Sequence, residues 1–207
     1  MCKAKINRRH FLINSSLLGC SLLIPGLARA ANINELSGTV YINKRRATPD
    51  MIIRAGDLVT TGDDGRISFS INKDAYLLKE STSVKFESPD NFFINALRVF
   101  TGKFLSVYEK GPDRKIITAT ATIGIRGTGF FINVQPGKTY FCTCYGKTVL
   151  NAGAMHKEFE ATHHDAYELE LDGMQVMGMH SMQVLYHTDD ELRQLEAMVG
   201  RVPPFDT

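Results

Sequence analysis

The feature that most constrains this chain is a succession of short strand-like segments between Leu36 and Leu150, with no long helical pattern among them. The segments 39–42, 66–71, 84–86, 103–107 and 129–134 are rich in β-branched and aromatic residues. Several alternate apolar and polar side chains. Successive residues of a strand point to opposite faces, so this alternation puts one face on a core and the other in water. Turn-forming clusters separate the segments, at 61–65, 87–91, 110–113 and 135–138. The pattern predicts an all-β fold, an antiparallel sandwich or roll of short strands.

Beyond residue 150 the reading is less regular. Asp172 to Met182 reads as a methionine-rich loop. The last element is plain. Thr188 and Glu191 form a capping box, in which the hydroxyl and the carboxylate satisfy amides left free at a helix start. Leu192, Leu195 and Val199 make one apolar stripe at helical spacing, Gly200 supplies a C-cap, and Pro203-Pro204 prevents continuation. A short C-terminal α-helix is expected at about 189–199. Alone it is too short to be stable, so it must dock on the β-domain or on a partner. The expected layout is an export signal at 1–30, a β-domain at 31–150 and a C-terminal extension at 151–207.

The signal is read from the first thirty residues. Lys3, Lys5, Arg8, Arg9 and Arg29 give this segment five positive charges, and it has no acid. An uncharged stretch from Phe11 to Ala28 follows, and Ala28-Arg29-Ala30 is an A-x-A cleavage pattern. Asn14, Ser15, Ser16, Gly19, Pro25 and Gly26 make the stretch a poor membrane span. Arg8, Arg9, Phe11 and Leu12 resemble the twin-arginine motif, whose export route carries folded proteins and uses the twin-arginine translocase. An ordinary secretory signal containing two arginines is the alternative. Leu17 to Cys20 resembles a lipobox, a weaker reading that would make Cys20 a lipid anchor. The expected location is the periplasm, with a soluble mature chain that has no membrane span.

Charge supports this division. The whole chain has 24 Lys and Arg against 22 Asp and Glu. Without the five cations of the signal, 19 basic residues face the same 22 acids. The basic character belongs to the signal, and no basic face argues for nucleic acid as a partner.

Three stretches resemble the FecR domain, a periplasmic domain named after the ferric-citrate regulator. Gly38-Thr39-Val40, followed by Gly56-Asp57-Leu58-Val59-Thr60-Thr61-Gly62 and Gly65-Arg66, is similar to its "G-D-x-V-x-T-G" turn. Leu97 to Phe104 is similar to its strand–turn–strand, and Ile123-Gly124-Ile125-Arg126-Gly127-Thr128-Gly129-Phe130 to its "G-T-x-F" signature. Tyr140 to Val149 fits the closing strand pair around Gly146. The resemblance spans roughly 35–150. These motifs read as structural. Gly56, Gly62 and Gly65 suit the positive φ of tight hairpins, and Gly124, Gly127 and Gly129 suit a bulge or a close backbone approach. Gly124 to Gly129 does not suit a phosphate loop, because Phe130 to Val134 reads as a strand where a helix is needed. Arg126 is expected to brace a turn through carbonyls, with anion binding as the alternative. Family members that regulate sigma factors carry a cytoplasmic helical domain and one span before this domain. Neither is read here, so the resemblance implies a free-standing exported module with an envelope protein as partner.

Cys142 and Cys144 are the only cysteines after the signal. They lie in a strand-like run, where residues i and i+2 share a face. Two thiolates on one face can ligate copper or zinc. His156, His163, His164, His180 and His187 follow, with Met174, Met177, Met179 and Met182. His163 and His164 would point opposite ways if extended, so one of the two is expected to share a site with the cysteines. The competing readings are a disulfide, which needs a bulge to bring the pair close enough, or two small buried hydrophobes. No catalytic constellation stands out, and His163, His164 and Asp165 have no nucleophile in a recognisable local motif. Asp57, Asp63 and Asp64 read as turn residues. The leading expectation is a non-enzymatic interaction module; the alternative is a metal-binding protein built on Cys142, Cys144, His163 and His164.

Overall fold

A computed structural model describes residues 31–88 and 94–207. The export-signal residues Arg8, Arg9, Phe11, Leu12, Cys20, Ala28 and Ala30, and the centre of the 87–91 turn, lie outside the described residues.

Among the described residues, a 3-10 turn at Pro204–Asp206 apart, fourteen strands and one α-helix follow one another along the chain. They are β1 (Ile33–Ser37), β2 (Val40–Ile42), β3 (Arg45–Arg46), β4 (Leu58–Thr61), β5 (Arg66–Ile71), β6 (Asp74–Leu78), β7 (Ser83–Glu87), β8 (Ala96–Val107), β9 (Arg114–Ile117), β10 (Thr122–Gln135), β11 (Lys138–Ala152), β12 (Met155–Ala161), β13 (Asp165–Asp172), β14 (Gln175–Met182) and α1 (Asp189–Met198). The all-β fold with a short C-terminal helix is therefore observed. Every strand pair is antiparallel except β8 with β9, which run parallel.

Three long strands change partners midway. β8 pairs with β7 and β9 through its first half and with β6 through Phe104–Val107. β10 pairs with β9 over 122–125 and with β8 over 129–134. β11 pairs with β13 over 138–143 and with β12 over 146–152. A strand that serves two pairings carries the sheet around a corner, which is how a single sheet folds over on itself.

The corner of β10 and β11 is made by the "G-T-x-F" residues. The register shifts between Arg126 and Phe130, and Gly127 and Gly146 sit at φ 59° and 87°. The Thr128 hydroxyl is within 3.0 Å of the carbonyls of Arg126 and Lys147, tying the bulge to the opposing strand. A Cβ on Gly129 would lie 2.4 Å from the Tyr145 ring, so close approach explains this glycine. Gly124 differs. Its nearest neighbour to an added Cβ is Val149 at 3.8 Å, and it lies in regular strand before the bulge. The sequence places a backbone requirement there that the fold does not impose.

The first glycine motif is corrected in the same way. Gly56 has φ 94°, as a tight turn requires. Gly62 and Gly65 do not adopt positive φ; their added Cβ atoms would instead strike Thr39, at 3.0 Å from its Cβ and 2.2 Å from its carbonyl oxygen. Asp57 caps this turn, accepting from Arg54 N at 2.7 Å and Asn43 Nδ2 at 2.6 Å. Arg126 does not bind carbonyls. It pairs with the Asp113 carboxylate at 3.0 Å, and both side chains are exposed.

The segment 172–182, expected as a loop, holds strand β14. Its methionines and Gly178 mask the β pattern, and its pairing with β13 supplies the order. Residue 150 falls inside β11, and β12, β13 and β14 continue the same sheet beyond it. Residues Ala31–Thr207 form one compact unit.

Two apolar clusters result. The larger lies inside the folded sheet and is dense in rings: Tyr76 stacks on Phe104 at 6.0 Å and meets Phe86 edge-on at 5.0 Å. The smaller lies under α1. It joins Ala75, Leu77, Leu105, Val107, Phe131 and Tyr140 to Leu192 and Leu195 of the helix, and it contains both cysteines.

Candidate metal centre

β11 presents Cys142 and Cys144 to the smaller cluster, while Thr143 between them faces the other way and meets the Thr148 hydroxyl at 2.7 Å. The alternation of a regular strand causes this. Both cysteines are free thiols and fully buried. A disulfide is thus not what the structure holds.

Two histidines converge on the thiols. His164 comes from the turn between β12 and β13. Its amide donates to the Cys144 carbonyl at 2.8 Å, and its φ of 55° turns the ring inward, a conformation in which histidine is several-fold enriched. His187 comes from the segment entering α1 and stacks on Phe131, with centroids 4.6 Å apart. The Tyr140 hydroxyl fixes that segment by donating to the Gln183 carbonyl at 3.2 Å and accepting from Leu185 N at 3.0 Å.

The ligand atoms of Cys142, Cys144, His164 and His187 all lie within 4.8 Å of one another. Cys142 Sγ is 3.5 Å from His164 Nδ1, Cys144 Sγ is 3.4 Å from His187 Nε2, and the two ring nitrogens are 3.4 Å apart. A tetrahedral ion with bonds of about 2.3 Å to sulfur and about 2.05 Å to nitrogen has edges of roughly 3.5 Å between S and N and roughly 3.3 Å between two N. The observed separations match these edges. The 3.4 Å between the two ring nitrogens is long for a hydrogen bond between nitrogens, which falls nearer 3 Å.

The outer nitrogens explain the arrangement. His164 Nε2–H donates to Asp189 Oδ1 at 2.7 Å, and His187 Nδ1–H donates to the Leu185 carbonyl at 2.9 Å. Each ring therefore spends its outer nitrogen as a donor and leaves the inner one, Nδ1 of His164 and Nε2 of His187, aimed at the other. In metal sites such second partners fix the tautomer and raise ligand basicity.

Electrostatics agree. The Cys142 thiol is drawn down to about 4, mainly by hydrogen bonding from the Cys144 thiol and further by His164 and His187, against the opposing effect of burial. Burial and the neighbouring Cys142 push Cys144 well up. The two thiols are thus shifted in opposite directions by each other and by their surroundings. Burial opposes charge on His164, but its contacts with Cys142 and Asp189 outweigh that and raise it. Asp189 is held low: burial opposes ionisation, and the bonds from His164 and His163 overcome it.

Of the four expected ligands, Cys142, Cys144 and His164 meet. His163 does not join them. It is exposed, and its Nε2 meets Asp189 at 3.0 Å while its ring packs on Phe205. His187 takes the fourth place. His156 and His180 stand elsewhere, on Asn151 and Glu170.

No protein-family model matches the chain, and no curated protein does. Two crystal structures, at 1.65 and 2.50 Å resolution, of a "putative anti-sigma factor" from Parabacteroides distasonis ATCC 8503 share the fold. Each superposes with a TM-score of 0.51 at 9% identity, over 60% of this chain, and the chain spans 58% of theirs. At that identity the likeness is one of fold. Among the described residues, no helix is long and apolar enough to cross a membrane.

Proposed function

We propose that this chain is an exported FecR-like interaction module that carries a resident thiophilic metal ion, a divalent ion of the zinc class, on Cys142, Cys144, His164 and His187. The observation that carries the metal is the pair of imidazoles whose outer N–H groups are tied to Asp189 and to the Leu185 carbonyl while their inner nitrogens face each other at 3.4 Å. A cation among the four atoms would satisfy both ring lone pairs and both sulfurs at once. Two thiolates and two neutral rings around a divalent ion are also charge-neutral, which suits a site with three buried ligands and a fourth, His164, partly buried. An S₂N₂ tetrahedron is typical of zinc.

Four protein ligands close the coordination sphere, the pattern of structural rather than catalytic zinc sites. The protein therefore acts through binding. The FecR-like motifs in their order, and the fold shared with a protein described as a "putative anti-sigma factor", support a protein partner in the envelope. The twin-arginine-like signal supports export of a chain already folded around its metal, delivering it to the periplasm.

Elemental analysis of the full-length chain tests the metal. One zinc-class ion per chain is expected, with occupancy lost in Cys142→Ser, Cys144→Ser and retained in His163→Ala. Equal metal in the wild type and the double variant would remove the thiolate site.

A further inference from the structure

The four ligands come from different parts of the chain. Cys142 and Cys144 belong to β11 and His164 to the turn that follows β12, so three ligands sit on the folded sheet. His187 belongs to the segment that leads into α1, and Asp189, which holds His164, is the helix's first residue. The metal would bond the C-terminal segment to the sheet.

Other contacts hold that segment too, from the Tyr140 hydroxyl on Gln183 and Leu185 to the ring of Phe205 on Tyr145, and the metal ligand would add to them. α1 has ten residues, below the length at which helices are stable alone. It buries Leu192, Leu195 and Glu196. Glu191 pairs with Arg66 at 3.1 Å and Lys79 at 2.8 Å, and Glu196 bonds to the Tyr145 hydroxyl and to Arg201. Beneath it lies a face that is apolar and nearly inaccessible while covered: Ala75, Leu77, Leu105, Val107, Phe131 and Tyr145.

We propose that the metal is a latch on the C-terminal segment, residues 183–207: bound metal holds the segment down over this apolar face, and loss of metal releases it. The proposal rests on the metal reading above. The physical reason is linkage. With the segment docked the ion has four ligands; with the segment lifted it has three and lacks the Asp189 contact that orients His164. An ion that binds the docked state more tightly shifts the population toward it by the ratio of the two affinities. Losing one ligand and one second partner is worth about 100-fold in affinity, on the scale measured for outer-shell partners alone of about 10- to 100-fold. The coupling is reciprocal, so whatever captures the lifted segment also weakens the hold on the metal.

Amide hydrogen exchange on the full-length chain, with zinc and after chelation, tests the latch. Zinc stoichiometry is measured on the same samples. The expected result is exchange about 100-fold faster over residues 185–200 after chelation, with β8 and β10 unchanged. A second variant leaves every ligand in place: Leu192→Ala, Leu195→Ala loosens the helix, and its zinc affinity is expected to fall at least about tenfold by reciprocity. Zinc bound one to one with C-terminal exchange unaltered by chelation would overturn the latch and leave the metal site standing. So would unaltered zinc affinity in the double-leucine variant, or loss of protection equally in β8, β10 and α1. A chain that binds no zinc would overturn the metal reading and the latch together.

Discussion

The two apolar clusters of this molecule are sealed by different means. The larger one is enclosed by strands that turn corners and by interlocked rings, with Phe69, Tyr76, Phe86 and Phe104 in mutual contact. It is held by the hydrophobic effect and close packing, with the buried Asp74–Arg114 pair bonded to the Tyr76 hydroxyl at its margin. The smaller one is covered by one short helix and contains two thiols beside two imidazoles. Apolar burial alone does not account for it, since aliphatic residues of similar size would seal the same face without polar atoms. The difference is the ground for the metal proposed at the smaller cluster, whose four ligand atoms lie within 4.8 Å of one another.

The sharpest break of this comparison is a deletion in the ring cluster. Phe104→Ala is expected to cost about 3–5 kcal/mol in chemical denaturation, by the same amount with and without metal. A cost that depends on metal would mean the two clusters are not separate. Next comes the corner of β10. Gly129→Ala forces a methyl toward the Tyr145 ring and is expected to cost about 1–3 kcal/mol, whereas Gly124→Ala stays within about 0.5 kcal/mol. Equal costs would show that close approach is not what this glycine motif serves.

In the smaller cluster, Asp189→Asn keeps an acceptor for His164 but removes its charge. Zinc affinity, followed by competition with a chromophoric chelator, is expected to fall about 10- to 100-fold. The smallest effect belongs to the helix start. Thr188→Ala removes the bond to Glu191 N and is expected to cost about 1 kcal/mol. That loss should appear as faster amide exchange in α1 and leave the ring cluster unaltered.

How much of this could be read from the sequence depended on how local the cause was. The capping box of Thr188 and Glu191 is set by neighbours three apart, and both of its bonds form. The shared face of Cys142 and Cys144 follows from strand alternation alone. His187 could not be singled out, because its place depends on where the 183–187 segment crosses the sheet, and the Tyr140 hydroxyl decides that from a strand over forty residues earlier. The one available signal was its position immediately before the helix cap, where the backbone direction is fixed. Choosing between His163 and His164 required the φ of a turn residue. Gly62 and Gly65 were legible as required glycines but for the wrong reason: the demand is space against Thr39, a residue more than twenty positions away. β14 was illegible because methionine and glycine carry little strand propensity, and its order comes from β13.

The metal proposed here would sit in one tetrahedral shell of two sulfurs and two nitrogens. X-ray absorption at the metal edge of the full-length chain measures this shell directly. Two sulfur scatterers at about 2.3 Å and two imidazole nitrogens at about 2.0–2.1 Å are expected. A shell of oxygen and nitrogen without sulfur, or a chain that binds no metal, would contradict the proposal.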